Sequence, residues 1–178
     1  FKVKKEFVQT VKDQEVTLVL GQTGCGKSTQ LPQFLEGKIV CTQPRKLAAI
    51  SLAHRVAQER GEERTKIGTG SSTVGYCVRG DVAIGPKCNL VFCTVGVLLR
   101  KVLENNVDFT HLVIDEAHER SLEIDFLLTL IKYFASAAGK KSNHHRTFPP
   151  GFRVIIMSAT LDQKIFDLFP QSKPLEIE

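Results

Sequence analysis

Tryptophan is absent from the 178 residues, and tyrosine occurs only twice. Phenylalanine, with 11 copies, supplies nearly all the aromatic surface. It is expected in the core, so no aromatic stacking platform for nucleobases is in view. Long apolar runs are also missing. None approaches the roughly 20 residues that cross a bilayer, and Val16–Leu20 and Leu112–Ile114 have the length of buried strands. No membrane partner is expected. No basic-then-apolar leader opens the chain, so nothing points to secretion. Because the first residue is Phe1 rather than Met, the chain is expected to be a piece of something longer. There is no Cys-x-x-Cys, and the cysteines number five, at 25, 41, 77, 88 and 93. An odd count without pair spacing reads as reduced thiols in an intracellular protein, with nucleus and cytoplasm both open. Cys88 and Cys93, flanking a strand, are weak grounds for a metal site. No internal repeat occurs, and a chain of this length suits one well-buried domain, 1–178, without a second.

Acidic residues are the scarcer sign, 19 against 24 Lys and Arg, for a net charge of +5. That excess permits nucleic-acid binding without demonstrating it; a solvated basic surface explains it as well.

What is present is an alternation of short β-type runs with helical stretches. Strands are predicted at Glu15–Leu20, Lys38–Thr42, Leu90–Thr94, His111–Asp115 and Arg153–Ser158. Helices are predicted at Ser28–Leu35, Leu47–Arg60, Val95–Asn105, Leu122–Ala138 and Asp162–Phe169. In the second of these, Leu47, Ile50, Ala53, Val56 and Ala57 share one face. Strands apolar on both faces, alternating with helices, imply an α/β fold: a mostly parallel sheet with helices on both faces. Ligands then bind at the carboxyl ends of the strands. Gly61–Thr73 reads as a loop and Gly139–Gly151 as a polar surface insertion. Within the latter, His144 and His145 have no other spaced ligands and are expected in a solvated loop rather than on a metal.

Gly21-Gln22-Thr23-Gly24-Cys25-Gly26-Lys27-Ser28 fits G-x-x-x-x-G-K-[ST] between a strand and a helix. Glycines let the backbone curl so that successive N–H groups converge on phosphate oxygens. The cofactor-binding set is therefore Gly21, Thr23, Gly24, Cys25, Gly26, Lys27, Ser28 and Thr29, with ATP or another nucleoside triphosphate as ligand. Lys27 places its ammonium on the β- and γ-phosphates, and the Ser28 hydroxyl is a candidate Mg²⁺ ligand. The plainer alternative is a flexible glycine-rich turn. Cys25 is read more simply as a small filler than as an activated thiol.

Hydrolysis also needs a metal-holding carboxylate and a group that positions water. Leu112-Val113-Ile114 runs directly into Asp115-Glu116-Ala117-His118. Asp115 at the strand end is the second candidate Mg²⁺ ligand, and Glu116 the residue that orients or deprotonates water. His118 is a candidate for passing information to another element. Val154-Ile155-Ile156-Met157 enters Ser158-Ala159-Thr160, whose hydroxyls are expected to hydrogen-bond the acidic loop.

From about Phe7 to Leu161 the chain resembles the first RecA-like domain of DEAH-box/RHA-type RNA helicases of superfamily 2. Motif I is Gly21–Thr29, followed by Gln30-Leu31-Pro32-Gln33-Phe34, and motif Ia is Thr42-Gln43-Pro44-Arg45. Val74-Gly75-Tyr76-Cys77-Val78-Arg79 and motif Ib, Thr94-Val95-Gly96-Val97-Leu98-Leu99-Arg100, come next. Motif II is Asp115–His118, extended by Glu119-Arg120-Ser121, and motif III is Ser158-Ala159-Thr160. The Thr-Val-Gly form of motif Ib is closer to the RHA-like branch, and His118-Glu119-Arg120-Ser121 to the splicing-factor and bacterial branches.

The resemblance implies a RecA-like P-loop NTPase fold, with Mg-ATP hydrolysis coupled to RNA binding and remodelling. It implies catalytic roles for Lys27, Glu116 and His118, and coupling roles for Ser158 and Thr160. It places Thr42, Arg45, Thr94 and Arg100 on single-stranded RNA, and Arg55 on the nucleobase. It also implies a second RecA-like domain and allows a protein activator. Departures are the short link between Leu35 and Lys38, Gly80-Asp81 where an aromatic is common, and a long 139–151 insertion. The Gln-Arg-x-Gly-Arg pattern of the second domain's arginine fingers is absent, so slow turnover is expected of this chain alone. A nucleotide-binding RNA–protein scaffold and a DNA helicase are the competing readings.

Overall fold

A computed structural model describes residues 2–104, 106–137, 151–160 and 163–177. The described strands are β1 (Val16–Gly21), β2 (Ile39–Gln43), β3 (Val74–Val78), β4 (Asp81–Ala83), β5 (Leu90–Thr94), β6 (His111–Ile114), β7 (Arg153–Ser158) and β8 (Pro174–Ile177). They form one sheet in the order β4-β3-β5-β2-β6-β7-β1-β8. Every neighbouring pair is parallel except β3 with β4. The helices are α1 (Lys2–Asp13), α2 (Lys27–Gln30), α3 (Lys46–Glu59), α4 (Val95–Leu103), α5 (Leu122–Ala137) and α6 (Gln163–Leu168).

Strand side chains alternate between two cores, as a period of two demands. Leu112, Ile114, Val154 and Ile156 join one core with Leu98, Ile124, Leu128 and Ile165 of α4, α5 and α6. Val113, Ile155, Met157, Ile39 and Cys41 join the other with Phe7 and Val11 of α1 and Ala53 and Val56 of α3. Both faces of the central strands are thus covered, which is why those strands are apolar throughout. This is the RecA-like α/β architecture.

The sequence reading holds for the central strands within a residue or so. It departs in four places. The helix expected at 28–35 is α2 followed by a 3₁₀ turn, Leu31–Phe34. Pro32 has no N–H to donate and its ring crowds the preceding turn, so the α pattern stops short. Leu47 is 76 % exposed, not on the packed face of α3. It sits about 120° around the helix from Ala53, and α3 packs through Ala49, Ala53, Val56 and Ala57 instead. Helix α1 is not among the predicted helices, although Phe7, Val8 and Val11 keep helical spacing and pack on the core. β3, β4 and β8 are not among the predicted strands; β4 and β8 are short and lie at the sheet edges. β3 also contains Gly75, where a Cβ would stand 2.6 Å from the Ala83 carbonyl oxygen. The insertion up to residue 150, with His144 and His145, lies outside the described residues, as do Asn105, Leu161 and Asp162.

Candidate active site

Because β1, β2, β5, β6 and β7 are parallel, their carboxyl ends share one edge of the sheet. The phosphate-type loop leaves β1 there. Gly24 (φ 89°) and Gly26 (φ 87°) take left-handed backbone conformations that a side chain would strain. Gly26 starts the following helix: its carbonyl accepts from the Gln30 N–H at 2.8 Å and from the Thr29 hydroxyl at 3.2 Å. Thr29 therefore turns its hydroxyl back on the helix start. Lys27 is 6 % exposed. Its ammonium donates to the carbonyls of Gly21 at 2.5 Å and Gln22 at 2.8 Å, and lies 3.8 Å from Cys25 Sγ. Thr23 and Gly24 are exposed at the tip, while Gly21, Cys25 and Ser28 are half-buried.

Asp115 follows β6 and is fully buried. One carboxylate oxygen accepts the Glu116 N–H at 2.9 Å, and the other accepts Gln43 Nε2 at 2.6 Å. Glu116 then takes a left-handed backbone (φ 54°, ψ 38°), as does Arg120 (φ 47°, ψ 46°). These two bracket the short 3₁₀ turn Ala117–Glu119. Such conformations cost about 1–3 kcal/mol each and persist only where the surroundings impose them. Here the buried Ala117 and the Arg120–Asp125 pair, at 2.6 and 3.0 Å, hold the turn. The turn sends Asp115 inward and Glu116 to the other side. Burial, with Asp115 next door, pushes the Glu116 carboxyl above the usual range; His118 and Lys27 pull it back.

His118 joins two elements. Its Nδ1 accepts the Ala159 N–H at 3.3 Å, and its Nε2 lies 3.4 Å from Glu116 Oε2. An accepting Nδ1 carries no proton, so the ring's N–H is on Nε2 and faces the Glu116 carboxylate. The tip of β7 thereby sets the tautomer of the histidine beside Glu116. Ser158 and Thr160 do not supply this link. The Ser158 hydroxyl donates to the Thr160 carbonyl at 2.6 Å and accepts the Thr160 N–H at 3.4 Å. Their hydroxyl chemistry shapes the turn, and the Ala159 backbone touches the acidic loop.

The donor set suits Mg²⁺. Ser28 and Asp115 offer hard oxygens. Among the described residues no cluster of three or more His, Cys, Asp or Glu forms a self-contained metal site. A divalent ion here would draw its other ligands from phosphates and water, the usual habit of magnesium. Among the described residues, Cys88 and Cys93 belong to no such cluster either; burial pushes their thiols up to about 11 and about 12.

The ends of β2 and β5 set motif Ia beside the start of motif Ib, since Gln43 and Thr94 are register partners. Arg45 is 77 % exposed and Arg100 79 %, each in one ion pair, with Glu119 at 3.5 Å and Glu104 at 2.8 Å. Thr94 is half-buried at the start of α4. Thr42 does not belong with them. It is fully buried and its hydroxyl donates to the Val113 carbonyl at 3.4 Å, because β2 is a central strand covered on both faces. Arg55 projects from α3 and pairs with Glu59 at 2.8 Å, whose other oxygen receives Gln30 and Gln33 at 2.8 and 3.0 Å. That ties Arg55 to the flank of α2. Gln43 was not singled out from the sequence. Only register, which sets it beside the end of β6, reveals its contact with Asp115.

The DEAD/DEAH box helicase family matches residues 1–168. The chain belongs to that family. It is 38 % identical to the DExH-box ATP-dependent RNA helicase DExH1 of Arabidopsis thaliana, over 98 % of this chain and 17 % of that protein. It is 39 % identical to the ATP-dependent RNA helicase DHX29 of Mus musculus, over 95 % and 12 %. With the chloroplastic DExH4 of Arabidopsis thaliana, identity is 42 % over 94 % and 12 %. The chain therefore spans under a fifth of the length of these relatives. Membership in an ATP-dependent family carries nucleotide binding with it.

Proposed function

We propose that the chain is the nucleotide-binding motor half of an ATP-dependent RNA helicase. The observation that carries this reading is the placement of Lys27, Asp115 and Glu116 together at the sheet edge where Arg45 and Thr94 also lie, with Arg100 following on α4. Lys27 and the loop N–H groups would hold the triphosphate, and Ser28 with Asp115 would hold Mg²⁺. The ion, when bound, neutralises charge developing on the phosphates. Glu116 accepts the proton of the attacking water, and His118, 3.4 Å from Oε2, holds its carboxylate. Arg45 and Arg100 contact the phosphate backbone, which positions a strand without reading its sequence. Arg55 faces the nucleobase.

The relatives are named ATP-dependent RNA helicases, which favours RNA over DNA. Retention of Lys27, Asp115 and Glu116 favours an enzyme over a scaffold. The chain has no Gln-Arg-x-Gly-Arg run. A second RecA-like unit would supply those arginines, an effect worth about 10³–10⁵ in rate. Five free cysteines support a place inside the cell. An activator protein is compatible with slow intrinsic turnover.

The test is Mg-ATP turnover by the chain with single-stranded RNA, single-stranded DNA or neither, over a range of salt. Slow turnover with salt-dependent binding that prefers RNA supports the reading. Binding of neither strand, or brisk RNA-stimulated turnover by the chain alone, would sink it in its present form.

A further inference from the structure

The buried amide of Gln43 has no part in the chemistry described so far. It is 3 % exposed, its partner Asp115 is fully buried, and Nε2 to Oδ2 is 2.6 Å. Only one orientation of the amide works. Its oxygen facing an ionised carboxylate would be repelled, whereas its N–H donates. Asp115 has two oxygens to satisfy at a fully buried position, and the backbone N–H of Glu116 takes the other. The carboxylate is thus fixed in rotation by two donors from two different strand ends. β2 also receives the Asp115 N–H on the Thr42 carbonyl at 3.4 Å, so the two strand ends are joined twice.

We propose that Gln43 is the positioning residue for the magnesium-binding carboxylate. It holds Asp115 so that the free lone pairs on its oxygens face the metal and not the sheet. The proposal rests on the nucleotide-site reading above. It adds a consequence of chain order: Gln43 is followed at once by Pro44 and Arg45, the exposed strand-gripping corner. A shift of that corner moves the amide, and with it the metal-binding carboxylate.

Outer-shell partners of metal-binding carboxylates typically matter by about 10–100-fold in metal affinity or activity. The variant Gln43→Met keeps the length and removes the donor. Affinity for a fluorescent ADP analogue would be measured in Mg²⁺ and in EDTA. The expected result is that the Mg²⁺-dependent gain in affinity falls about 10-fold or more while affinity in EDTA holds. RNA affinity, set by Arg45 and Arg100, should hold as well. An unchanged Mg²⁺-dependent gain overturns the proposal. So does an equal loss in Mg²⁺ and EDTA, which marks a general packing role. Should Gln43→Met fail to fold, Gln43→Ala, which also removes the donor and adds no charge beside Asp115, carries the test with the same two outcomes. If the unaltered protein shows no Mg²⁺-dependent gain, the nucleotide-site reading itself has failed; if it does and the variants match it, only the Gln43 inference has.

Discussion

The nucleotide edge and the proposed strand-gripping surface are built in opposite ways. At the nucleotide edge, Lys27 and Asp115 are buried, each held by two donors or acceptors, and Glu116 sits on a strained left-handed backbone. At the gripping surface, Arg45 and Arg100 are more than three-quarters exposed and each makes one solvent-screened ion pair. The difference suits the role proposed for each. Chemistry on a phosphate needs groups fixed before the reaction, in a low dielectric. Holding a flexible polyanion of any sequence needs charge that can adapt, and adaptable charge must stay in water.

The contrast can be broken or sharpened by mutation. The largest effect is expected of Glu116→Gln: turnover should fall about 10²–10⁴-fold with Mg-nucleotide affinity retained, read by steady-state hydrolysis beside direct binding. Equal loss of binding would move Glu116 from the chemistry to the structure. The pH dependence has a defined sign. Glu116 acts as its carboxylate, and burial raises its pKa. Activity should therefore fall as pH drops through a value above the ordinary carboxylate range, and Glu116→Gln should lose that acid limb. The same raised pKa means the charged form is disfavoured in the fold, so a thermal melt of Glu116→Gln near neutrality should show no loss of stability.

Smaller effects belong to the exposed surface. Arg45→Ala and Arg100→Ala should each flatten the dependence of log affinity on log salt by about 0.7 for single-stranded RNA, with hydrolysis in the absence of RNA unchanged. Titrations at three salt concentrations check this. The smallest effect is a discriminating one. Thr42→Val should leave RNA affinity alone and cost about 1 kcal/mol of stability for the lost hydrogen bond, measured by denaturant unfolding. Weakened RNA binding at unchanged stability would return Thr42 to the surface set.

The chemistry was legible in the sequence where a side chain's role depends on its immediate neighbours. Gly24 and Gly26 announce a curled loop because few other residues tolerate that backbone. Leu112-Val113-Ile114 before Asp115 announces a carboxylate at the end of a buried strand. What was not legible depends on partners brought from elsewhere. Thr42 looked like a surface residue, and its burial comes from lying between β5 and β6. The link from β7 to the acidic loop was expected from the hydroxyls of Ser158 and Thr160, but runs through a backbone N–H that no side-chain pattern displays.

The sequence by itself therefore determined the class of fold, the phosphate loop and the order of acidic residues, since these rest on local backbone geometry and a period of two or 3.6. The tertiary structure alone decided which of those residues touch. Gln43 and Asp115 are 72 positions apart, and His118 and Ala159 are 41 apart. Strand order and register, properties of the whole sheet, put each pair within reach. The site's wiring is a long-range consequence of packing, while its parts list is a short-range consequence of sequence.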